Sequence, residues 1–404
     1  MRHKTSMAAD CGSVDFPVSV VLPAAGSGER MGLAIPKQFC SVLGRPLLYY
    51  TLQAFLSVGW VREIIVVVSQ DWLQETSDIL QHFPTPSRRK VTVVSGAPTR
   101  HRSIWNGLKA VGTGTDVVVL HDAVRPLVEE DFLRRIVVAA KENGAAGAVR
   151  PLISTVVSPT KTDRMLDHSL DRSQYQASEM PQAFRYPAIT EAYQKCIDHD
   201  LDFGTECLHL VQKYAGVSAK LLLGPSSLWK VTLRKDLYAI EGVLKEELCK
   251  NVVILSDCKL SLSQRLHKGI QEKLSSEVVL FNDQEQLATT CQTITTLILT
   301  KSFPCDLEKT RDTISHVLEG TTVGDRSVLV LLLCGATPAL DTMPRLFMFT
   351  QDIAEETKKH SVIINSVYVD SQASSDVGDR AVAMVISLIR QRDPAMSGQV
   401  FVAQ

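Results

Sequence analysis

The chain lacks any hydrophobic run long enough to cross a membrane as a helix. Its most apolar stretch, residues 328–333, has only the length of a strand. Residues 1–16 lack the apolar core of a signal peptide, and they are too short and too mixed in composition for an organelle transit peptide. We therefore expect a cytosolic protein with no segment inserted in a membrane, and a disordered tail over residues 1–16.

The chain also has almost no net charge, and its cysteines show no regular spacing. A net charge of −1 over 404 residues argues against a nucleic-acid-binding surface built on bulk charge, and it leaves room for a local basic site. The nine cysteines contain no CxxC pair, and together with the ten histidines they form no cluster at metal-ligand spacing. Such a set is typical of reduced intracellular thiols rather than of a disulfide framework or a zinc site.

Hydrophobic residues, by contrast, make up 45% of the chain, which is enough for the cores of two domains. Short runs of β-branched residues alternate with segments whose apolar residues have helical spacing. This alternation predicts a parallel sheet with helices on both faces, in which ligands bind beyond the carboxyl ends of the strands. The predicted elements are strand 18–22, helix 46–57, strand 63–69, helix 72–81, strand 90–95, helix 100–110, strand 116–121 and helix 129–141.

Residues 18–37 (VSVVLPAAGSGERMGLAIPK) begin as an apolar strand and continue into a loop that contains Gly26 and Gly28. Glycines let a backbone approach a ligand and turn its N–H groups inward, while Arg30 and Lys37 add positive charge. The loop is therefore a candidate phosphate site, although the same glycines also fit an ordinary strand-to-helix turn. Its spacing matches neither GxxxxGK[ST] nor GxGxxG, so it supports neither a P-loop nor a dinucleotide-binding motif.

Two further strand ends carry residues that could take part in chemistry. Residues 96–103 (GAPTRHRS) form a turn and the start of a helix, which fits an anion site but equally fits a capped helix with a solvated basic turn. Asp122 follows a buried strand in HDAVRP, where a carboxylate is usually a metal ligand or a structural cap. We favour the functional role because Arg125 follows it. His121 fits a histidine that orients the turn as well as a catalytic one.

After these motifs the alternation of strands and helices is interrupted. Residues 151–186 are polar and β-prone, which predicts an arm that leaves the sheet. Its exposed edge would need covering, most economically by a second copy of the chain. Helix 187–199, the turn 202–206 and strand 219–223 follow, and the loop after that strand puts Lys230 at a further strand end.

Taken in order, these motifs resemble those of the cytidylyltransferases that act on methylerythritol phosphate and ribitol phosphate. The resemblance covers roughly residues 19–243 and rests on PAAGSGERM, PKQF, the 96–103 turn, HDAVRP, MPQAF and LWKVT. It implies a glycosyltransferase-A-like Rossmann variant with a protruding β-arm. It also implies a reaction that joins CTP and a polyol phosphate into a CDP-polyol with release of pyrophosphate, with Mg²⁺ as cofactor.

The resemblance further implies a role for each matching residue. Cations around the α-phosphorus and the departing pyrophosphate would be Arg30, Lys37 and Lys230. The nucleotide would contact Ala24, Ala25, Gly26, Gly28, Gly96, Ser103 and Asp122, of which Asp122 would also hold the metal. The substrate phosphate and hydroxyls would contact Arg125, Thr155, Arg172 and Thr205. A homodimer is implied as well, because the two arm residues Thr155 and Arg172 would reach into the neighbouring subunit's site.

The choice of polyol phosphate rests on two departures from the methylerythritol enzymes. Met180 stands where those enzymes commonly have a threonine, and no Asp-x-His motif of a fused cyclase domain follows residue 250. The long C-terminal extension resembles the ribitol-phosphate branch, whose product CDP-ribitol serves glycan assembly on dystroglycan. We therefore expect ribitol 5-phosphate as the substrate, with methylerythritol 4-phosphate as the alternative.

The C-terminal third predicts a second, smaller Rossmann-like α/β domain over residues 250–404, after a catalytic domain over 17–249. No glycine motif follows its first strand and no Tyr-x-x-x-Lys pair follows the later ones, so an oxidoreductase function is unsupported. A binding or dimer-stabilising role is favoured for this domain. For the whole chain a catalytically inactive scaffold is disfavoured, because no candidate catalytic cation or metal ligand is missing. The predicted elements are helix 241–250, strand 251–255, strand 278–282, helix 284–300, strand 327–333, helix 343–360, strand 361–369 and helix 379–390.

Overall fold

The computed structural model describes residues 13–27, 31–32, 34–256, 261–281, 294–303, 305–320, 323–336, 342–370, 372 and 376–403. The chain divides into two compact units, Met1–Tyr238 and Ala239–Gln404. The domain boundary expected between residues 249 and 250 stays a prediction. Most of the expected N-terminal tail, residues 1–12, lies outside the described residues.

The first unit is built on a seven-stranded sheet with the order β11-β7-β10-β6-β1-β4-β5. Its strands are β1 (Val18–Pro23), β4 (Val61–Val68), β5 (Val91–Ser95), β6 (Val117–Leu120), β7 (Ala145–Pro151), β10 (Gln176–Arg185) and β11 (Lys220–Leu223). Two small hairpins pair β2 (Ser41–Val42) with β3 (Arg45–Pro46) and β8 (Val157–Pro159) with β9 (Leu166–Ser169). Its helices are α1 (Leu47–Leu56), α2 (Leu73–Leu80), α3 (Thr85–Arg88), α4 (Arg100–Lys109), α5 (Glu130–Asn143), α6 (Tyr186–Lys195), α7 (Asp198–Phe203), α8 (Cys207–Ala215) and α9 (Arg234–Leu248), the last of which continues into the second unit.

The central strands of this sheet are apolar on both faces because helices cover both faces. All of Val117–Leu120 is buried, as is most of β1 and β4. The parallel pairs β1·β4, β1·β6 and β4·β5 bring their carboxyl ends to one edge of the sheet. The predicted α/β architecture is therefore confirmed, and the motifs at successive strand ends lie at a common edge.

One strand of this sheet departs from the expected parallel arrangement. β10 runs antiparallel to both β6 and β7 and lies between them. Only the segment between β7 and β10 leaves the sheet as an arm that carries the small β8–β9 hairpin. The chain that returns from the arm must run in the opposite direction, so the second half of the predicted arm becomes a central strand whose last residues are largely buried.

The second unit is a six-stranded, wholly parallel sheet with the order β13-β12-β14-β15-β16-β17. Its strands are β12 (Asn251–Ser256), β13 (Glu277–Phe281), β14 (Ile294–Ser302), β15 (Val323–Gly335), β16 (Ile363–Asp370) and β17 (Gln399–Ala403). The helices are α10 (Ser261–Leu274), α11 (Leu307–Gly320), α12 (Thr342–Lys358) and α13 (Val377–Gln391). Buried residues of α10 and α13 pack on one face and those of α11 and α12 on the other, which confirms the second α/β domain.

The helix predicted over residues 284–300 is wrong where the structure describes it. Residues 284–293 lie outside the described residues, and from Ile294 the chain forms β14, eight of whose nine residues are buried. The run ITTLILT is rich in β-branched residues, which favour a strand, and burial on both faces removes the alternation that would reveal one. No described helix in either unit is long and apolar enough to span a bilayer.

Candidate active site

A cavity of about 210 Å³ opens beyond the carboxyl ends of β1, β5 and β6 in the first unit. Its lining is contributed by loops that are far apart in the chain and follow strands of the same sheet, and Lys230 comes from the loop after β11, at the opposite edge of that sheet from β5. The lining residues are Pro23, Ala24, Ala25, Gly26, Lys37, Gln38, Ala97, Pro98, Thr99, Arg100, Ser103, Asp122, Ala123, Val124 and Lys230.

The loop after β1 is fixed by a few hydrogen bonds. The N–H of Ala24 donates to the carbonyl of Val67 over 2.7 Å, which continues the sheet past the end of β1. The side-chain amide of Gln38 donates to the carbonyls of Ala24 at 2.5 Å and Gly26 at 3.1 Å. The neighbouring residue Lys37 also lines the cavity, so the glycine loop and this lysine face the same space.

The turn after β5 packs tightly against that loop. A Cβ atom built at Gly96 would lie 2.5 Å from the Ala25 Cβ and 3.2 Å from the Ser103 hydroxyl, so only glycine fits at this position. The Ser103 hydroxyl accepts from the N–H of Ala97 at 2.9 Å and donates to its carbonyl at 3.0 Å. The Thr99 side chain caps the start of α4. The turn is therefore held from both sides, and Ser103 keeps one lone pair for a further donor.

Asp122, directly after His121 at the end of β6, is the centre of charge in this site. One carboxylate oxygen pairs with Arg100 at 2.8 Å, and the other pairs with Arg125 at 2.9 Å and Lys230 at 3.1 Å. Burial alone would raise the pKa of Asp122, but the charges of Arg100, Lys230 and Arg125 outweigh burial and hold the pKa well below its usual range. The carboxylate is ionised at any physiological pH.

Two of these cations differ in how they are held. Arg125 is almost fully buried, and its guanidinium also donates to Glu179 at 2.5 Å and to the Leu228 carbonyl at 2.6 Å. Lys230 is about a third exposed and lines the cavity. Burial lowers the pKa of Lys230, and the Asp122 charge partly opposes that shift. Lys230 can therefore turn toward a ligand, whereas Arg125 is fixed by its buried partners and stabilises the Asp122 carboxylate.

The two histidines next to this cluster are buried and neutral. Burial lowers the pKa of His121 to about 4, and burial together with the charge of Arg100 lowers that of His101 to about 4. The Nε2 of His121 donates to the Arg125 carbonyl at 2.9 Å, and its ring packs edge-on against Phe55. This arrangement favours the role of orienting the turn over proton transfer.

The structure brings most of the predicted site residues together. Those that line the cavity are Ala24, Ala25, Gly26, Lys37, Ser103, Asp122 and Lys230, and Gly96 packs directly behind it. Arg30 and Gly28 lie outside the described residues. Thr155, Arg172 and Thr205 are exposed and do not line the cavity, and Arg172 donates to the Ile153 carbonyl within the arm at 2.8 Å.

Several cavity residues are not among those predicted from the sequence, and two of them bond directly to predicted site residues. Arg100 is the first residue of α4 and pairs with Asp122, and Gln38 is the buried partner of the glycine loop. Their motifs are visible in the sequence as GAPTRHRS and PKQF. What the spacing does not reveal is which of these two arginines, Arg100 or Arg102, points into the cavity. Arg102 instead pairs with Asp198 and Asp202 on α7.

The donor set near the cavity limits the kind of metal site that could form there. Among the described residues no group of three or more His, Cys, Asp or Glu side chains could hold an ion, and Asp122 is the one carboxylate in the cavity lining. Mg²⁺ commonly keeps several waters and is bound by one or two carboxylates together with substrate phosphates. The site therefore fits a magnesium ion carried mainly by a phosphate ligand, and does not fit an all-protein metal cage.

Comparison with known families assigns the first unit clearly. The family model described as "IspD: 2-C-methyl-D-erythritol 4-phosphate cytidylyltransferase" matches residues 18–246. A bacterial enzyme of that name from Syntrophus aciditrophicus is 34% identical over 230 residues, which is 57% of this chain and 97% of the relative. The match ends in the last turn of α9, so it does not extend into the sheet of the second unit.

Animal relatives match both units. The D-ribitol-5-phosphate cytidylyltransferase of Mus musculus is 38% identical over 418 residues, covering 98% of this chain and 92% of the relative. The enzyme of the same name from Xenopus tropicalis is 39% identical, covering 95% and 97%. Among solved structures, 4-diphosphocytidyl-2C-methyl-D-erythritol synthase from Anaerococcus prevotii has a TM-score of 0.48 at 26% identity, covering 57% of this chain and 96% of that one.

Proposed function

The chain belongs to the 2-C-methyl-D-erythritol 4-phosphate cytidylyltransferase family and is a nucleotidyltransferase, and from that premise we propose that it condenses CTP with D-ribitol 5-phosphate to give CDP-ribitol and pyrophosphate. The single observation that carries this proposal is the cavity in which a glycine loop, Lys37 and the Asp122 cluster face one another. A nucleoside triphosphate needs these elements: close backbone approach for the phosphates and mobile cations for its charge.

The proposed reaction does not need a strong general base. A phosphate monoester is already an anionic nucleophile, so attack on the α-phosphorus of CTP depends on positioning and on neutralising charge in the transition state. Lys37 and Lys230 are suited to the second task, because both line the cavity. Neutral His121 and His101 are unsuited to proton transfer near pH 7, in agreement with a reaction that needs none.

Before the nucleotide binds, the negative charge of Asp122 would hold two cations at the cavity. It holds Arg100 and Lys230 at the cavity at distances of 2.8 and 3.1 Å, so neither cation has to be gathered from solvent. A triphosphate is more negative than one carboxylate and would draw Lys230 away from Asp122. Arg30, outside the described residues, would add a further cation to this set.

Mg²⁺ is the proposed cofactor, with Asp122 as its protein ligand. Three cations around Asp122 would repel a bare divalent ion, so we expect the metal to enter with the triphosphate, whose charge reverses the balance. When bound, it would neutralise charge on the nucleotide phosphates. Departure of Lys230 toward the nucleotide would remove one of the two cations that share a carboxylate oxygen of Asp122, and Arg125 would remain paired with that oxygen.

The preference for ribitol 5-phosphate over methylerythritol 4-phosphate draws on the extent of the two matches. The ribitol enzymes resemble this chain along both units, whereas the Syntrophus methylerythritol enzyme resembles 57% of it. On this proposal CDP-ribitol supplies ribitol phosphate for glycan assembly on proteins such as dystroglycan.

The acceptor would be held partly by residues outside the cavity. Arg125, Thr155, Arg172 and Thr205 remain the proposed contacts of its phosphate and hydroxyls. The arm exposes apolar side chains, with Ile153 at 82% and Leu166 at 68% exposure, which supports a homodimer in which each arm covers the partner's site. A cytosolic location completes the proposal.

The test is an acceptor comparison with the full chain. CTP and MgCl₂ are incubated with ribitol 5-phosphate, methylerythritol 4-phosphate or no acceptor, and pyrophosphate release is followed continuously. We expect the highest kcat/KM for ribitol 5-phosphate, and lower rates when UTP replaces CTP. Pyrophosphate release no faster than without acceptor, or a preference for UTP, would contradict the proposal.

A further inference from the structure

Gln38 is a buried glutamine in the wall of the cavity, with 2% of its surface exposed. Its amide nitrogen donates to two carbonyls of the glycine loop, those of Ala24 and Gly26. A buried amide that donates to two carbonyls only two residues apart constrains that part of the loop strongly, because each lost hydrogen bond would leave a polar group without a partner.

The turn that carries Gln38 is itself held rigidly. Lys37–Phe39 form a short 3₁₀ helix, and the N–H of Cys40 closes it on the Lys37 carbonyl at 3.2 Å. The Phe39 ring stacks on Trp72 with a centroid separation of 4.3 Å and an angle of 16°. Gln38 therefore extends from a turn anchored in the core rather than from a free loop.

The two hydrogen bonds from Gln38 to the glycine loop, here called the clamp, have two consequences for a bound triphosphate. The carbonyls of Ala24 and Gly26 are occupied by Gln38, so their negative ends are not free to face phosphate oxygens. The same side chain also ties the loop to the turn that begins with Lys37. These two hydrogen bonds therefore help to fix the distance between the glycine loop and Lys37.

We propose that Gln38 is a positioning residue that holds the glycine loop and Lys37 in the arrangement required by the CTP triphosphate. The inference rests on the proposed function for the identity of the nucleotide. It predicts that loss of the Gln38 hydrogen bonds weakens the binding of CTP and leaves the binding of the acceptor unchanged. Without these bonds CTP itself must order the loop, so CTP binds more weakly and its α-phosphorus is less well placed.

The experiment compares Gln38→Met, which keeps the length of the side chain but has no donor, with Gln38→Glu, which puts a carboxylate against two carbonyl oxygens. Gln74→Met is the matched control, because Gln74 is an exposed glutamine in the same unit that donates to Asp78 away from the cavity. CTP affinity is measured by calorimetry without acceptor, and KM for CTP and for ribitol 5-phosphate by pyrophosphate release.

For Gln38→Met we expect CTP affinity to fall about tenfold, with KM for CTP rising in parallel and KM for ribitol 5-phosphate changing less than about twofold. Gln38→Glu should bind CTP more weakly still, and Gln74→Met should have the CTP affinity and KM values of the parent protein. Unchanged CTP affinity in both Gln38 variants would overturn the proposal. An equal rise in both KM values, together with a lower melting temperature, would also overturn it, because a general loss of structure has that signature. CTP affinity is measured independently of turnover, so absence of transfer in the parent protein would count against the proposed function alone.

Discussion

The two units of this chain share an architecture and differ in what lies at the carboxyl ends of their strands. In the first unit, a carboxylate and three cations meet beyond β6, next to a glycine loop. In the second, the corresponding end of β12 carries Ser256, whose hydroxyl lies 3.0 Å from that of Ser263, and Ser263 lies 3.3 Å from Thr300. These three hydroxyls are buried and bond to one another.

Buried arginines show the same contrast. Arg125 in the first unit bonds to the carboxylates Asp122 and Glu179. Arg392 in the second is equally buried, and its guanidinium donates to the carbonyls of Thr295, Arg326 and Leu248 and to the Thr296 hydroxyl. One arginine supports a charged site, and the other joins neighbouring strands to the chain before β12. The described residues at these two strand ends therefore differ in charge: those after β6 form a charged cluster, and those at the end of β12 bond to one another.

The largest expected effect separates chemistry from stability in the first unit. Lys37→Ala should lower kcat by about a thousandfold, because it removes a charge from the transition state. It should leave the folded structure intact, since Lys37 is partly exposed at the cavity and contributes little to the core. Near-normal kcat in a folded variant, measured by pyrophosphate release, would exclude this role.

Asp122→Asn should impair both the catalysis and the stability of the first unit. It leaves Arg100, Arg125 and Lys230 around a neutral side chain, which should destabilise the first unit by about 3 kcal/mol and weaken the dependence of activity on Mg²⁺. All four tryptophans lie in the first unit, so urea unfolding followed by tryptophan fluorescence reports on that unit specifically.

The pH dependence of that transition tests the same residue. Folding lowers the pKa of Asp122, so its contribution is complete above the unfolded value of about 3.9 and is lost as pH falls toward the folded value. We expect this acid-dependent loss to be smaller in Asp122→Asn. Identical acid profiles, or an unchanged magnesium titration, would argue against the respective role.

Arg392→Met tests the second unit by the same method. Loss of four hydrogen bonds to buried acceptors should destabilise that unit by about 2 to 4 kcal/mol. The transition seen by circular dichroism should shift, while the tryptophan transition stays in place. A shift of both by the same amount would show that the two units unfold as one.

Lys230→Arg should produce a moderate change whose diagnostic part is the alkaline limb of the pH profile. Burial lowers the pKa of Lys230, so activity should fall as pH rises through a value below the ordinary lysine pKa of about 10.4. Arginine stays protonated, so the variant should lose this alkaline limb even if its overall rate is lower. A pH profile of kcat/KM with the limb unchanged would assign it to another group.

The smallest effect is expected for Ser263→Ala. It removes one member of the hydroxyl cluster and should cost the second unit about 1 kcal/mol, with kcat/KM unaltered. A large loss of transfer activity would contradict the distinction between the two strand edges.

Much of this site could be predicted from the sequence because its residues follow strands. Lys37, Asp122 and Lys230 lie in the segments that follow β1, β6 and β11, and a doubly wound sheet places such segments at one edge whatever their separation in the chain. The parts that could not be predicted depend on side-chain direction. Arg125 was expected to contact substrate, whereas the structure buries it between Asp122 and Glu179, and its role toward substrate stays a prediction.

The fold shows the same limit. Alternation predicted the layers of both units, but the reversed direction of β10 depends on how the arm returns to the sheet, which no local pattern encodes. A strand buried on both faces, such as β14, has no alternation of its own, so the sequence pattern wrongly predicts a helix there. A donor to two carbonyls, such as Gln38, has no periodic signature, so spacing does not predict its role.

The central claim, that this chain transfers a cytidylyl group to ribitol 5-phosphate, is tested most directly by ³¹P NMR of the full chain with CTP, Mg²⁺ and that acceptor. The account predicts that the monoester and triphosphate signals decline together while a diphosphate diester and pyrophosphate appear in equal amounts. Formation of CMP and pyrophosphate with the acceptor signal unchanged would contradict it.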